Sequence, residues 1–349
     1  MRPKQLNDVK LNDIARSSGV SLSTVSLVLN NKPGVSETTR TLVMNTAASL
    51  GYKPRLAKSF NGQNRLRSLG LIMRAEPDDC EKGKSNEFYS HIISGIENAC
   101  REKHITLLLT SVLVESHYNY PVEIPRLLEE NRADGYLLVG IHVNQLMDMA
   151  LQESNLATVL VDAYPNLHPY DSVLTANKEG CYNSIKYLIE RGHRKIGFIG
   201  GWDGAYPSFE ERRAGYRQCL ADHHIADCYF ANTTTRRADV LRATHELMST
   251  HRDLTALVGV NDDVAIGAIN ALLEMGLRVP DDISVIGFDD ILAAVTMNPP
   301  LTTMMIDKTN MGYLAVELLA FRKHKPEANP VAISIHPRLL ERNTVKNRV

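Results

Sequence analysis

The 349-residue chain has no apolar run approaching the ~20 residues that a membrane-spanning helix needs. Its first twenty residues carry Asp8, Lys10 and Asp13 where a secretory signal would need an apolar core. No membrane partner and a cytoplasmic location are the expectation. Cysteine is scarce: Cys80, Cys100, Cys181, Cys219 and Cys228 are odd in number, and none stands in a Cys-x-x-Cys pair. A disulfide scaffold and the usual zinc or redox motifs are thereby excluded, leaving structural thiols. The histidines contain no His-Glu-x-x-His and no serine sits in a Gly-x-Ser-x-Gly elbow, so metalloprotease and hydrolase chemistry lack their residues. The glycine-rich stretch at 197–204 (GFIGGWDG) lacks the spacing of a dinucleotide fingerprint and reads as a tight strand-to-helix turn. No metal or cofactor is called for. The composition of disorder is absent too: with 44% apolar and 23% charged residues the chain should fold throughout, into two or three domains at this length.

What is present is charge, unevenly placed. Residues 1–67 hold eleven Lys and Arg against Asp8, Asp13 and Glu37, a surplus of +8 in a chain whose net charge is −1. A basic head on an acidic body binds a polyanion through the head alone. Within that head, apolar residues recur at helical spacing three times: Leu11, Ile14, Ala15; Val25, Val28, Leu29; and Val43, Ala47, Leu50. Gly19-Val20 separates the first two runs and Ser21 is placed to cap the second, as in a helix-turn-helix; Ser36 is placed to cap the third. On the second helix Leu22, Ser23 and Leu27 are expected to face outward, with Val25, Val28 and Leu29 inward, presenting a short helix to a major groove. A plain three-helix surface bundle is the competing reading. Residues 51–67 carry five basic side chains and no core pattern, which makes them a linker.

From Ser68 onward, apolar runs of strand length (69–73, 105–112, 136–139, 157–161, 196–199, 256–260 and 284–288) alternate with amphipathic helices. Such alternation predicts parallel α/β sheet, and two smaller sheets with a cleft between them fit domain size better than one large sheet. The expected division is a head at 1–52, a linker at 53–67 and a core at 68–349. The core's lobes are taken as 68–174 with 308–330, and 175–307 with 331–342. Polar residues stand directly after strands: Asp162, Asn261, Asp262 and Asp289. Ligands of parallel sheets bind outside the carboxyl ends of strands, so these should converge on the cleft with Arg212 as their cationic partner. A structural ion pair or helix cap is the competing reading, most of all for Asp162 and Asp262.

The run LNDIARSSGVSLSTVSLVLN at 11–30, followed by VSETTR and LGYKP, resembles the DNA-binding head of the lactose-repressor/galactose-repressor (LacI/GalR) family. The resemblance continues through YLIERGHRKIGFIGG (187–201), ERRAGY (211–216), VNDDVAIGA (260–268), VPDDISVIGFDD (279–290) and PPLTTM (299–304). It implies a multidomain regulator: an all-α helix-turn-helix domain joined to a periplasmic-binding-protein-like core of two parallel-sheet subdomains. It further implies a homodimer on palindromic double-stranded DNA, most readily a repressor, answering to a small effector such as a sugar. Carried across by position, the DNA-binding candidates are Leu22, Ser23, Thr24, Ser26, Leu27, Asn30 and Ser36. Arg55, Lys58 and Phe60 join them from residues 55–61, which resemble the family's hinge helix, with Phe60 as the minor-groove wedge. Leu27 departs from the Arg usual there, replacing a guanine-reading fork by apolar contact. Lys10 stands where a capping Thr is usual. The effector-binding candidates are Phe88, Tyr89, Asp162, Trp202, Arg212, Asn261 and Asp289, the three aromatics standing in for a ring that family members carry near 233–236. A free-standing solute-binding protein and an α/β enzyme are the rival classes. The chain ends soon after the apolar segment 331–335, so a dimer rather than a coiled-coil tetramer is expected.

Overall fold

The structure, a computed structural model, describes residues 9–29, 34–50, 52, 66–75, 87–114, 120–165, 167–202 and 205–348. The chain divides into two compact units, Met1–Asn64 and Arg65–Val349.

In the first unit, α1 (Leu11–Ser18), α2 (Leu22–Leu29) and α3 (Glu37–Ser49) close around Ile14, Val25, Val28, Val43 and Ala47, all buried. The turn between α1 and α2 depends on Gly19, whose φ of 70° lies in the left-handed region. The Ser21 hydroxyl then accepts the Thr24 amide at 3.1 Å, and Ser36 accepts that of Thr39 at 3.2 Å, so both predicted caps are made. Lys10 makes no side-chain cap; the Asp13 carboxylate instead accepts the Lys10 amide at 2.9 Å.

The second unit holds two sheets, each of six strands among the described residues. The first comprises β1 (Ser68–Ala75), β2 (Thr106–Leu113), β3 (Gly135–Val139), β4 (Ala157–Val161), β5 (Asp171–Thr175) and β11 (Ala332–Ile335), in the order β11-β5-β4-β3-β1-β2 and parallel throughout. The second comprises β6 (Ile196–Ile199), β7 (Tyr229–Ala231), β8 (Ala256–Gly259), β9 (Ser284–Asp289), β10 (Thr302–Met305) and β12 (Arg338–Leu340), in the order β12-β10-β9-β8-β6-β7. There only the β10–β12 pair is antiparallel. Strands β3, β6, β8 and β9 are buried along their whole length, as parallel strands covered on both faces must be, which is why they read as unbroken apolar runs.

One expected boundary is corrected. Residues 331–342, expected in the second lobe, are divided between the two: β11 pairs with β5 in the first sheet and only β12 joins the second. The reason is local: the Val331 carbonyl accepts the Ser172 amide and the Asp171 carboxylate accepts the Val331 amide, which zips the segment onto the edge of β5. The chain therefore passes between lobes at 175–177, 305–308 and 335–338. In each sheet the strand order reverses once, between β1 and β3 and between β6 and β8, and a ligand crevice forms beyond the carboxyl ends at such a reversal.

Candidate functional site

On the head, α2 offers Leu22, which is 47% exposed, and an exposed Ser23, with Thr24 and Ser26 partly covered. The Ser21 hydroxyl lies 2.7 Å from that of Ser23 and 2.8 Å from that of Thr24, gathering three hydroxyls at the helix start. Leu27 is half-buried rather than exposed. Five residues on from Leu22 is ~140° round the helix, so the two cannot share a face, and Leu27 lies at the edge of the stripe that buries Val28. The exposed Ser36 uses its hydroxyl as a helix cap. Asn30, Arg55, Lys58 and Phe60 lie outside the described residues.

In the core, the strand-end residues do converge. The Arg212 guanidinium, on α8 (Pro207–Asp222), is 4% exposed. It donates to the Asn177 side-chain oxygen at 2.8 Å, to the Val260 carbonyl at 2.7 Å and to Asp289 Oδ1 at 3.0 Å, and lies 3.8 Å above the Phe288 ring. Asp289 closes β9 with a φ of 114°, a conformation that side-chain-bearing residues rarely hold. Burial raises its pKa, against the pull of Arg212 and Lys308. Lys308, first residue of α12 (Lys308–His324), donates to the carbonyls of Asp289 and Asp290. Asp162, beyond β4, also has a left-handed φ, 47°, and accepts the Tyr89 hydroxyl at 3.0 Å. Burial pushes its carboxyl up to about 6, although the Tyr89 bond and Arg212 oppose the rise.

Aromatic rings wall the site from both lobes. Tyr89, on α4 (Glu87–Glu102), meets Phe88 edge-on at 5.2 Å. Across from it, Trp202, Tyr206 and Phe209 form a mutual T-shaped cluster with centroids 5.5–6.1 Å apart. The turn that delivers Trp202 relies on Gly200, at a φ of 120°, where an added Cβ would sit 2.2 Å from the Val260 side chain. Of the stretch 197–204, residues 203–204 lie outside the described residues.

Two residues expected at the site have structural duties. The Asn261 side chain accepts the Val264 amide at 3.0 Å, capping α10 (Asp262–Glu274). Asp262 accepts the Ile291 amide at 2.9 Å and lies 2.6 Å from the Thr303 hydroxyl. Burial drives its carboxyl up to about 8. Asn261 is thus a helix cap, a short polar side chain at a helix start being within reach of its own first-turn amides, whereas Asp262 is held structurally by bonds to distant segments. The structure also adds Arg74, Asn177, Tyr206 and Lys308, which the sequence reading missed. Arg74 was within reach of the strand-end rule, since it stands near the carboxyl end of β1; Asn177 and Lys308 lie on lobe crossings, which only the topology reveals.

Residues 10–55 match bacterial regulatory proteins of the lacI family, and residues 185–345 match a periplasmic binding protein-like domain. An HTH-type transcriptional repressor PurR of Vibrio campbellii is 32% identical over 342 residues, covering 96% of this chain and 98% of that protein. Its namesake in Vibrio cholerae is 31% identical, covering 97% and 98%. The chain belongs to the lacI family of bacterial regulatory proteins. Among solved structures, a complex of the transcriptional regulator CelR with cellobiose superposes at a TM-score of 0.68 with 26% identity, covering 96% of this chain and 99% of that one. A lac repressor dimer bound to operator and the anti-inducer ONPF shares the fold at a TM-score of 0.72 with 23% identity, covering 97% and 99%. This lacI-family protein is thus an effector-binding, DNA-binding transcription regulator and not an enzyme, and the enzyme and free solute-binding readings fall. Arg212, Asn261 and Asp289 fall within the matched binding-protein segment; Tyr89, Arg74 and Asp162 lie before it. No described helix is long and apolar enough to cross a membrane.

Proposed function

We propose that the regulator acts in the cytoplasm as a homodimeric repressor, reading a palindromic operator with α2 and the hinge at 55–61 and releasing or gripping it as a small hydroxylated effector, a sugar first, occupies the cleft. The observation that carries the effector site is the meeting of Arg212, Asp289 and Asp162 with rings from both lobes, at the carboxyl ends of parallel strands and beside the chain crossings. A planar five-donor group, carboxylates and ring faces together suit a polyol, with donors and acceptors for hydroxyls and apolar faces for a sugar ring. The cellobiose complex of CelR supports a sugar. The outer edge of the first sheet offers a second copy an exposed apolar surface. Leu109 and Leu113 of β2 are 56% and 46% exposed there, and Val122, whose amide bonds to the Leu113 carbonyl, is 59% exposed.

Selection of operators from random-sequence DNA, then a thermal-shift screen of mono- and disaccharides, polyols and nucleosides, tests this reading. Asp289→Ala should keep the ligand-free DNA affinity while the effector no longer shifts it. An effector that still shifts DNA affinity fully in that variant would move the site elsewhere.

A further inference from the structure

The bracket of Arg212 and Asp289 is held by more than its own ion pair. Asp289 and the residue after it, Asp290, both lie in the left-handed region, at φ of 114° and 58°. Side-chain-bearing residues keep such a backbone in succession only where their surroundings over-determine it. Arg212 pairs with the Asp289 carboxylate at 3.0 Å, and Arg342 pairs with that of Asp290 at 2.6 Å while donating to the Leu301 carbonyl at 2.9 Å. Lys308 holds the backbone itself: its ammonium donates to the Asp289 carbonyl, and to that of Asp290 at 3.1 Å. Lys308 is 7% exposed. A buried ammonium is stable only where it is hydrogen-bonded, so the cation and the two carbonyls hold each other in place.

Lys308 does this from the other lobe. It stands where the chain crosses at 305–308 and opens α12, which packs on α4 so closely that neither Gly95 nor Gly312 has room for a Cβ against the facing backbone. The same α4 carries Phe88, whose ring centroid lies 5.8 Å from the Lys308 ammonium, and Tyr89, which bonds to Asp162. Asn177, at the crossing 175–177, meanwhile takes the Arg212 guanidinium. Both partners of the bracket are thus tied to chain crossings, Arg212 through Asn177 and Asp289 through Lys308. We infer that Lys308 is a positioning residue of the effector site: by gripping the carbonyls of Asp289 and Asp290 from the first lobe, it keeps the Asp289 carboxylate aimed at Arg212 and makes that aim depend on the lobe arrangement. This rests on the cleft being the effector site. Burial raises the pKa of Asp289 and the charges of Arg212 and Lys308 oppose the rise, so the cation also favours the ionised carboxylate.

The test has a structural arm and a binding arm, both on the full chain. Crystal structures should show Asp289 out of the left-handed region and its carboxylate off Arg212 in Lys308→Met, and in place in Lys308→Arg, which restores a buried cation. Lys308→Gln, uncharged and shorter, should show the same displacement and serves where the Met variant does not fold. Calorimetric titration uses D-ribose, D-glucose and cellobiose as probes. Lys308→Met should weaken binding at least about tenfold, the scale of one charge-assisted bond, and Lys308→Arg by less than about threefold. On an Asp289→Asn background that difference should largely vanish, because a residue acting through Asp289 loses its effect once the carboxylate is gone, whereas a merely structural one keeps it in full. An Asp289 that stays on Arg212 in Lys308→Met and Lys308→Gln would overturn the inference, as would a loss repeated in full on the Asp289→Asn background. Sugars that bind the displaced variant as tightly as the parent, or that do not bind the parent, would overturn the sugar reading of the cleft, with the geometry of Asp289 still deciding the role of Lys308.

Discussion

Replacing Arg212 by Met is the sharpest way to ask whether the cleft is a folded-in device or a loose set of polar groups. Met keeps an unbranched stem against Phe288 but removes all three hydrogen bonds of a side chain that is 4% exposed. The Asn177 oxygen and the Val260 carbonyl each lose a donor, at ~1 kcal/mol or more apiece. Asp289 loses its ion partner in a buried setting, and breaking such a pair costs ~3 to 5 kcal/mol. Asp289 escapes part of that cost by taking a proton, because its carboxyl is already raised by burial and rises further once Arg212 is gone. The expected loss is therefore ~3 to 5 kcal/mol in all, a large share of the ~5 to 15 that holds a domain together. It should be smaller at pH 5 than at pH 8: an acid whose folded pKa is raised favours the folded state below its unfolded value and loses that advantage as pH rises. Adding Asp289→Asn to Arg212→Met should recover part of the loss. Urea unfolding followed by Trp202 fluorescence measures this cleanly, since Trp202 is the only tryptophan in the chain and lies in the second unit. A loss below ~1 kcal/mol, or one that does not change with pH, would show that Arg212 is not matched by Asp289 in the folded protein.

Asp162→Asn should flatten the pH dependence of core stability. With the parent's carboxyl raised to about 6 in the fold, stability is full below the ordinary carboxylate range and falls as pH climbs toward 6, by ~1 to 3 kcal/mol; the variant should lack this fall in pH-stepped denaturation. Lys10→Thr should raise the stability of the head by ~1 kcal/mol, read as a higher melting midpoint of its helical signal, because Thr supplies the acceptor at the start of α1 that Lys10 does not. An unchanged midpoint would mean that the Asp13 bond to the Lys10 amide already satisfies that end. Leu27→Arg should change the operator selected from random DNA rather than merely weaken binding, by ~1 to 3 kcal/mol of discrimination at one base pair; an identical consensus would place residue 27 away from the bases.

Local chemistry made the head legible without coordinates. Apolar spacing, Gly19 where φ must be positive, and Ser21 and Ser36 at helix starts are properties of a few consecutive residues, and all appear in the fold. So are the long buried strands, because a parallel strand covered on both faces has to be apolar throughout. The rule that ligands gather beyond carboxyl ends then led to Arg212, Asp162 and Asp289 as neighbours. What the sequence left undecided are pairings between distant segments. β11 joins β5 through Val331 and Asp171, 160 residues apart, and short mixed strands such as β5, β10 and β12 carry no apolar run to announce them. Asn261 and Asp262 stand at strand ends as Asp289 does, but the helix that starts there claims the Asn261 side chain, and the distant Ile291 amide and Thr303 hydroxyl claim that of Asp262. Arg74 became part of the cleft only when Tyr206, 132 residues later, closed over it from the other lobe. Such contacts depend on where three chain crossings bring two sheets together, and no stretch of neighbouring residues carries that information.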